Sequence, residues 1–479
     1  MRALLSQTLR LRSAQALILL AVLGLILTPP VLAGFHEVRK AEQAWAERDY
    51  HNAAARYEHA AWLLPWRTDL WEKAGRSAFL DLDSRKALLF LKRADHLSDV
   101  GWSTLATLYR NEGEYDLAIQ TLQQGMAEVG ASRILYATLW QTYFLEGNLE
   151  GEREALQKFL PYVDELRTDD PIRSLAYYRM GLFLLASDTP RALDDLFEAS
   201  SSDANYRSAV RTLRASADLA ALETDESRRL VVIGRGLGLV NEWALAEQVF
   251  RQAVAADEEN AEAWAWLGEA EQHLGREGGA ALEQALSLEP ANPVVHNLRA
   301  LYWTRQGQHR QALDEYRLAA QHDPENPLWQ VSIGEAYARL GDLPPALQAY
   351  QRAVELAPNE ANYWRLLAVF CAQYGVQVEQ TGLPAARRAA SLAPNDPLTL
   401  DTLGWTLTLL EQPGEALYHL ARALSLEPSL ASAHLHYGIA ALQANDRTTA
   451  YQHLLQARDL DADGPVGQQA QALLNQYFP

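Results

Sequence analysis

Cysteine is almost absent from this 479-residue chain, which contains a single one, Cys371. One thiol cannot form a disulfide within the chain, and one sulfur cannot build a thiolate metal site. Cys371 falls on the apolar side of a predicted helix, where a cysteine behaves as a small buried hydrophobic residue. The sequence therefore excludes an intrachain disulfide framework and leaves the redox compartment open.

Runs of basic residues are missing too. The chain has 42 Lys and Arg against 61 Asp and Glu, a formal net charge of −19. Because an acidic surface repels phosphate backbones, we expect no nucleic-acid partner.

The common catalytic signatures are absent. There is no His-Glu-x-x-His, Gly-x-Ser-x-Gly or phosphate-loop motif. Gly234, Gly236 and Gly238 follow an apolar run, but their Gly-x-Gly-x-Gly spacing is not the dinucleotide fingerprint and lacks its strand–turn–helix context. We therefore expect a protein that is not an enzyme, with no cofactor and no metal.

Charge is also absent from residues 13–35, a run of 23 residues that follows the basic segment 1–12. About 20 apolar residues suffice to cross a bilayer, and a basic flank favours the cytoplasmic side. We predict a transmembrane signal anchor at 13–35, a cytoplasmic segment 1–12 and an extracytoplasmic remainder. Alternatively, Val31-Leu32-Ala33 resembles a signal-peptidase site, and cleavage after Ala33 would give a secreted or periplasmic protein.

What the chain does contain is a sequence motif that recurs about every 34 residues, which we call the phrase. From Pro293 it runs Ala300, Trp303, Gly307, Ala312, Tyr316, Ala319, Pro324, and from Pro327 it runs Gly334, Tyr337, Gly341, Ala346, Tyr350, Ala353, Pro358. This period with these residue types is typical of a helix–turn–helix repeat array. Small residues suit the places where two helices cross, and Gly341 suits a turn that needs positive φ.

The phrase resembles that of the tetratricopeptide repeat family over nearly all of residues 36–464, most clearly after Ser227. The resemblance implies an all-α fold, a right-handed superhelical solenoid of stacked helix–turn–helix repeats. One N-terminal apolar helix would precede the array.

The phrase is clearer in some regions of the chain than in others, and on this basis we divide the chain after the apolar segment into four parts. Residues 36–160 hold N-terminal repeats, residues 161–226 form irregular helical pairs, and residues 227–464 hold the regular C-terminal repeats. Residues 465–479 fit the capping helix that a terminal repeat needs.

A partner-binding strip is predicted on the concave face of the C-terminal repeats. Trp405 follows Gly404 and should point to the inner side, where the same register places Leu398, Leu435, Ile439 and Leu442. Upstream, the groove would be lined by Asn297, Arg305, Arg339, Asn362 and Arg365. An apolar strip on a concave helical surface suits a partner's helix or extended peptide. The alternative is that the capping helix covers the strip.

These observations favour a non-enzymatic scaffold, tethered through residues 13–35, that holds protein or peptide partners of an envelope, secretion or assembly complex. Some members of the family are joined to glycosyltransferase domains, which suggests a second hypothesis. In that hypothesis the chain binds carbohydrate or serves a glycosyltransferase system, although five of its 13 tryptophans occupy repeat-core positions: Trp71, Trp102, Trp264, Trp303 and Trp364.

Overall fold

A computed structural model describes residues 29–478 of the chain. Throughout this range the backbone forms helices joined by turns and short connections, with no strand, so the predicted all-α class is confirmed there. The described residues divide into two compact units, and the boundary between them, after Ala215, falls within one helix.

The first unit consists of helices that pair with their neighbours along the chain. They are α1 (29–46), α2 (Tyr50–Leu63), α3 (Asp69–Leu80), α4 (Ser84–Arg93), α5 (Asp99–Asn111), α6 (Tyr115–Val129), α7 (Arg133–Glu146), α8 (Leu149–Phe159), α9 (Pro171–Leu184), α10 (Thr189–Ser202) and α11 (Arg207–Ala220), the last of which crosses the boundary. A 3₁₀ segment, Leu160–Glu165, separates α8 from α9. Residues 161–226 thus consist of this segment, the α9–α10 pair, a 3₁₀ turn at Ala204–Tyr206, and α11.

The second unit repeats the same hairpin more regularly. Its helices are α12 (Glu226–Leu239), α13 (Trp243–Ala256), α14 (Ala261–His273), α15 (Gly279–Leu288), α16 (Pro293–Arg305), α17 (His309–His322), α18 (Pro327–Leu340), α19 (Leu343–Leu356), α20 (Ala361–Tyr374), α21 (Leu383–Leu392), α22 (Pro397–Leu409), α23 (Pro413–Leu426), α24 (Ala431–Gln443), α25 (Arg447–Leu460) and α26 (Pro465–Tyr477). A π-helical turn, Val378–Gly382, takes up the extra residues between α20 and α21.

The repeated phrase shows how each hairpin is built. Asn326 caps α18 by accepting a hydrogen bond from the backbone N–H of Leu328, and Pro327 occupies the first helical position, where its missing N–H costs nothing. Gly341 ends the helix at φ 81°, in the left-handed region that glycine adopts without strain. These signals fix both ends of the helix locally, before any packing.

Close packing within the hairpin accounts for the small residues. A Cβ added to Gly334 on α18 would lie 2.8 Å from a ring carbon of Tyr350 on α19. Ala346 and Ala353, also on α19, are fully buried. The predicted roles of these residues at the helix crossing are confirmed, because nothing larger fits between the two helices.

The beginning of the described chain already belongs to the array. Residues 29–35 form the start of α1, and a Cβ at Gly34 would lie 3.1 Å from the Cβ of Leu63 on α2. The rest of the predicted anchor, 13–28, and the basic segment 1–12 lie outside the described residues. Within residues 29–478 no helix is both long and apolar enough to span a membrane.

Candidate functional site

A cavity of about 280 Å³ opens on the first helices of three successive hairpins of the second unit, α20, α22 and α24. We call it the Trp405 cavity. Its lining residues are Arg365, Val369, Gln373, Leu398, Asp401, Thr402, Trp405, Ser432 and His436. Equivalent positions of stacked first helices face one side of the array, so a single binding surface is assembled from residues about 34 positions apart.

The floor of the cavity is a stacked pair of rings. Trp405 and His436 lie face to face, with ring centroids 4.4 Å apart and an angle of 15° between their planes. Nδ1 of His436 lies 2.7 Å from Oδ1 of Asp401, a carboxylate that is 5% exposed. Because a carboxylate only accepts hydrogen bonds, the Nδ1–H of His436 donates to Asp401, and this bond holds the imidazole in one orientation.

Ser432 completes this network without creating a catalytic site. Its hydroxyl donates to Oδ2 of Asp401 at 2.8 Å. In a hydrolytic triad the serine must instead bond the imidazole, which takes its proton. Because Ser432 and His436 both bond Asp401, the carboxylate positions two polar groups for binding, and no activated nucleophile results.

The rim of the cavity combines a cation with an apolar side chain. Nη2 of Arg365 donates to Oδ1 of Asn362 at 2.8 Å, and no carboxylate of the described residues lies within ion-pairing distance of its guanidinium. Leu398 is 45% exposed. The site thus offers an unneutralised guanidinium, an aliphatic contact and an aromatic floor to a ligand.

The structure brings together four of the predicted groove residues: Arg365, Leu398 and Trp405 line the cavity, and Asn362 adjoins it. Asn297 is half-buried on α16 and Arg339 is exposed on α18, and neither lines the cavity. The prediction missed Asp401, Ser432 and His436. Their spacing held a signal, since Asp401 and His436 are 35 residues apart, about one repeat, and therefore lie on adjacent first helices.

Arg305 has a different role from the predicted one. Its guanidinium donates to Oε2 of Glu269 at 2.8 Å and to Gln272 at 2.9 Å, both on α14. This hydrogen bond to Glu269 raises the pKa of Arg305. Because the side chain of Glu269 is 5% exposed, Arg305 neutralises a buried carboxylate between hairpins rather than presenting a free charge.

The downstream part of the predicted strip, beginning at Leu435, differs from the prediction. Leu435 is 2% exposed and packs with Leu454, Ala470 and Leu474. Ile439 and Leu442 pack against the same cluster. Leu474 and Ala470 belong to α26, so Leu435 is buried beneath the last helix and does not line an open groove, whereas Ile439 and Leu442 are partly buried against the same cluster.

Comparison with known proteins agrees with the repeat architecture. Family models described as tetratricopeptide repeat match residues 102–129, 234–296 and 304–369. The first of these segments lies in the first unit and the other two lie in the second.

Two curated relatives match over short stretches. Small glutamine-rich tetratricopeptide repeat-containing protein 2 of Mycosarcoma maydis is 35% identical over 91 residues, which is 17% of this chain and 24% of that protein. The heat-shock protein cognate (HSC) co-chaperone sgt12 of Aspergillus fumigatus is 34% identical over 76 residues, 16% of this chain and 22% of that protein. The chain therefore spans about a quarter of the length of the curated relatives it matches.

Among solved structures, the APC/C hetero-tetramer Cut9–Hcn1 is similar with a TM-score of 0.44 and 16% identity, covering 92% of this chain and 95% of that one. Family matches in both units show that this chain contains tetratricopeptide repeats, at residues 102–129, 234–296 and 304–369.

Proposed function

We propose that this repeat protein is a membrane-tethered scaffold that binds an extended peptide segment of a partner protein at the Trp405 cavity. Tetratricopeptide repeats are protein-interaction scaffolds, and the geometry of the cavity supports a specific place for the contact. The observation that carries the proposal is the convergence of Arg365, Leu398 and the Trp405–His436 stack around one cavity.

The residues that line the cavity indicate what kind of ligand it binds. An apolar side chain of the partner packs on Leu398 and Trp405, because a rigid aromatic floor with one exposed aliphatic neighbour buries a side chain at little entropic cost. Arg365 and the Nε2 atom of His436 bond polar groups of the partner's backbone or side chains. An extended segment suits the cavity because its polar and apolar contacts come from successive helices.

The tether rests on the sequence. The uncharged run 13–35 follows a basic segment, and the pattern supports an anchor with the array on the extracytoplasmic side. The partners of such a tethered scaffold would belong to an envelope, secretion or assembly complex.

Cross-linking and affinity capture from native membranes test the proposal. Tagged full-length protein is compared with a Leu398→Asp/Trp405→Asp variant and with a Tyr418→Asp control. Tyr418 is 65% exposed on α23, a second helix, and does not line the cavity. Wild type and control should recover the same partner, and the double variant should lose it while its circular dichroism melt is unchanged.

Recovery of identical partners by all three proteins would move the binding surface elsewhere on the array. If no protein partner is recovered, and saccharide binding is measured and lost in Trp405→Ala, the carbohydrate hypothesis replaces the scaffold.

A further inference from the structure

The first unit exposes large apolar side chains at the edge where the described chain begins. Leu32 and Phe35 on α1 are 68% and 47% exposed, and Trp62 and Trp66 are 57% and 58% exposed. We call these four residues the N-terminal edge. Clustered exposed aromatics are unusual on a soluble surface and indicate that something covers them.

The four side chains lie at one end of the first helices. Gly34 contacts Leu63, so Phe35 and Trp62 each lie one residue from this contact between α1 and α2. Trp66 lies in the turn that follows α2, where the N–H of Arg67 bonds the carbonyl of Leu64 at 2.9 Å. The beginning of α1, the end of α2 and the α2–α3 turn therefore share one edge.

A cation is built into this edge. The guanidinium carbon of Arg93 lies 4.1 Å from the ring centroid of Trp62 and 4.6 Å from that of Trp71. Arg93 is exposed, and no carboxylate of residues 29–478 lies within ion-pairing distance of it. A guanidinium on an aromatic face keeps its donors free, and bidentate binding of a phosphate suits them.

The charge distribution singles out the same end of the chain. Residues 36–98, which the tether would place on the same side of the membrane as the edge, carry 11 Lys and Arg against 10 Asp and Glu, whereas residues 99–479 carry 28 against 51. An anionic bilayer repels the acidic remainder of the chain but not its nearly neutral beginning. Only the part that contains the N-terminal edge can thus approach a negatively charged surface without strong repulsion.

The chain outside the described residues joins this edge. Residue 29 opens the described part of α1, and it is preceded directly by residues 13–28 of the uncharged run. Tryptophan, with an apolar body and a polar N–H, is enriched at the level of lipid headgroups.

We propose that the N-terminal edge lies in the headgroup region of an anionic bilayer, with Trp62 and Trp66 inserted at its surface and Arg93 bound to lipid phosphate. This proposal rests on the membrane tether of the proposed function. The first hairpin is then seated on the membrane rather than suspended from it by a linker.

The test places a fluorophore at the edge of the full-length protein. Trp66→Cys is labelled with a polarity-sensitive probe, and Leu82→Cys is the matched control. Leu82 is 89% exposed in the α3–α4 turn, at the opposite end of α3, about 18 Å away along a 12-residue helix. The native Cys371 is buried, and burial raises the pKa of its thiol to about 11, so it is a poor target for thiol labelling.

Labelled proteins are reconstituted in vesicles of phosphatidylcholine and phosphatidylglycerol that contain a headgroup-level lipid quencher. We expect a blue shift and loss of most of the fluorescence at position 66, and neither at position 82. A Trp62→Ser change in the Trp66→Cys protein should weaken this quenching while the chain stays bound to the vesicles.

Three outcomes would overturn the proposal. A vesicle-bound chain whose probe at position 66 remains in water would refute the seated edge while leaving the tether intact. A shielded but unquenched probe, together with cross-linked dimers, would show that a second copy covers the edge. Absence of vesicle binding would remove the tether and this inference with it, while peptide capture at the Trp405 cavity would stand independently.

Discussion

His434 and His453 meet at their Nδ1 atoms, 2.9 Å apart, between α24 and α25. Nε2 of His434 also bonds the carbonyl of Pro428 at 3.0 Å, and a carbonyl can only accept, so this nitrogen carries the proton. Nδ1 of His434 then accepts from Nδ1–H of His453. Only one proton fits between the two facing Nδ1 atoms, so the rings cannot both be charged while this hydrogen bond is present.

Acid should therefore weaken this hairpin. Burial and the facing His434 lower the pKa of His453 to about 4, below its usual value near 6.5. The folded state thus prefers the neutral ring, and its stabilisation is complete above about pH 6.5 and is lost as the pH falls towards 4. Because the ring is only half-buried, we expect a loss on the order of 1 kcal/mol between pH 7 and pH 4.5. Thermal melts over this range measure it. His453→Gln should reduce the dependence, whereas the exposed His96→Gln should leave it unchanged.

Overpacking tests the helix crossing. Ala346 is fully buried on α19, so Ala346→Leu should force α18 and α19 apart and lower the free energy of unfolding by about 1–3 kcal/mol. Gln348→Leu, at an exposed position of the same helix, is the control and should have little effect. Equal denaturation midpoints for Ala346→Leu and wild type would contradict close packing at the crossing of α18 and α19.

A buried ion pair offers a sharper test in the first unit. Arg179 on α9 donates to both oxygens of Glu152 on α8, at 2.7 and 2.9 Å, and their side chains are 4% and 1% exposed. Arg179→Met should cost about 3–5 kcal/mol because it removes the guanidinium that neutralises a buried carboxylate. Arg179→Met/Glu152→Leu should recover most of the loss, because it removes both charges. Denaturant unfolding distinguishes these results. A double variant as unstable as the single one would show that Arg179 acts through packing alone.

The burial of Leu435 beneath the last helix makes a prediction, and the exposed Leu398 on α22 is its control. Leu435→Asp should unfold the C-terminal hairpin, at a cost of more than about 3 kcal/mol, because the carboxylate would be buried beneath α26. Leu398→Asp, at a 45% exposed position, should change the melting temperature little. Similar melts for both variants would mean that α26 does not seal this surface.

The hairpins of the second unit could be read from the sequence because their signals are local. The Asn326-Pro327 start, the Gly341 end and the small residues at 34-residue spacing each act within one repeat, so position along the chain translates directly into structure. The same translation placed Arg365, Leu398 and Trp405 on one surface.

The remaining parts depend on the neighbours that each repeat position meets. Leu398 and Leu435 are 37 residues apart, three more than one repeat, so Leu435 holds the position of the buried Asp401 and packs against α26, whereas Leu398 holds the position of Ser432 and stays 45% exposed. Arg305 differs from Arg365 because a buried Glu269 lies on the preceding first helix. Whether an arginine is free or forms a structural ion pair depends on which side chains lie next to it, and the repeated phrase does not predict those neighbours.

Because each hairpin packs mainly on its sequence neighbours, the array also has a mechanical character. A force that pulls the two ends of the second unit apart loads the hairpin contacts in series, so the weakest hairpin opens first while the others keep their packing. Each opened repeat of 34 residues adds on the order of 100 Å of chain. A scaffold of this construction can lengthen in steps under load and recover its length when the load is removed.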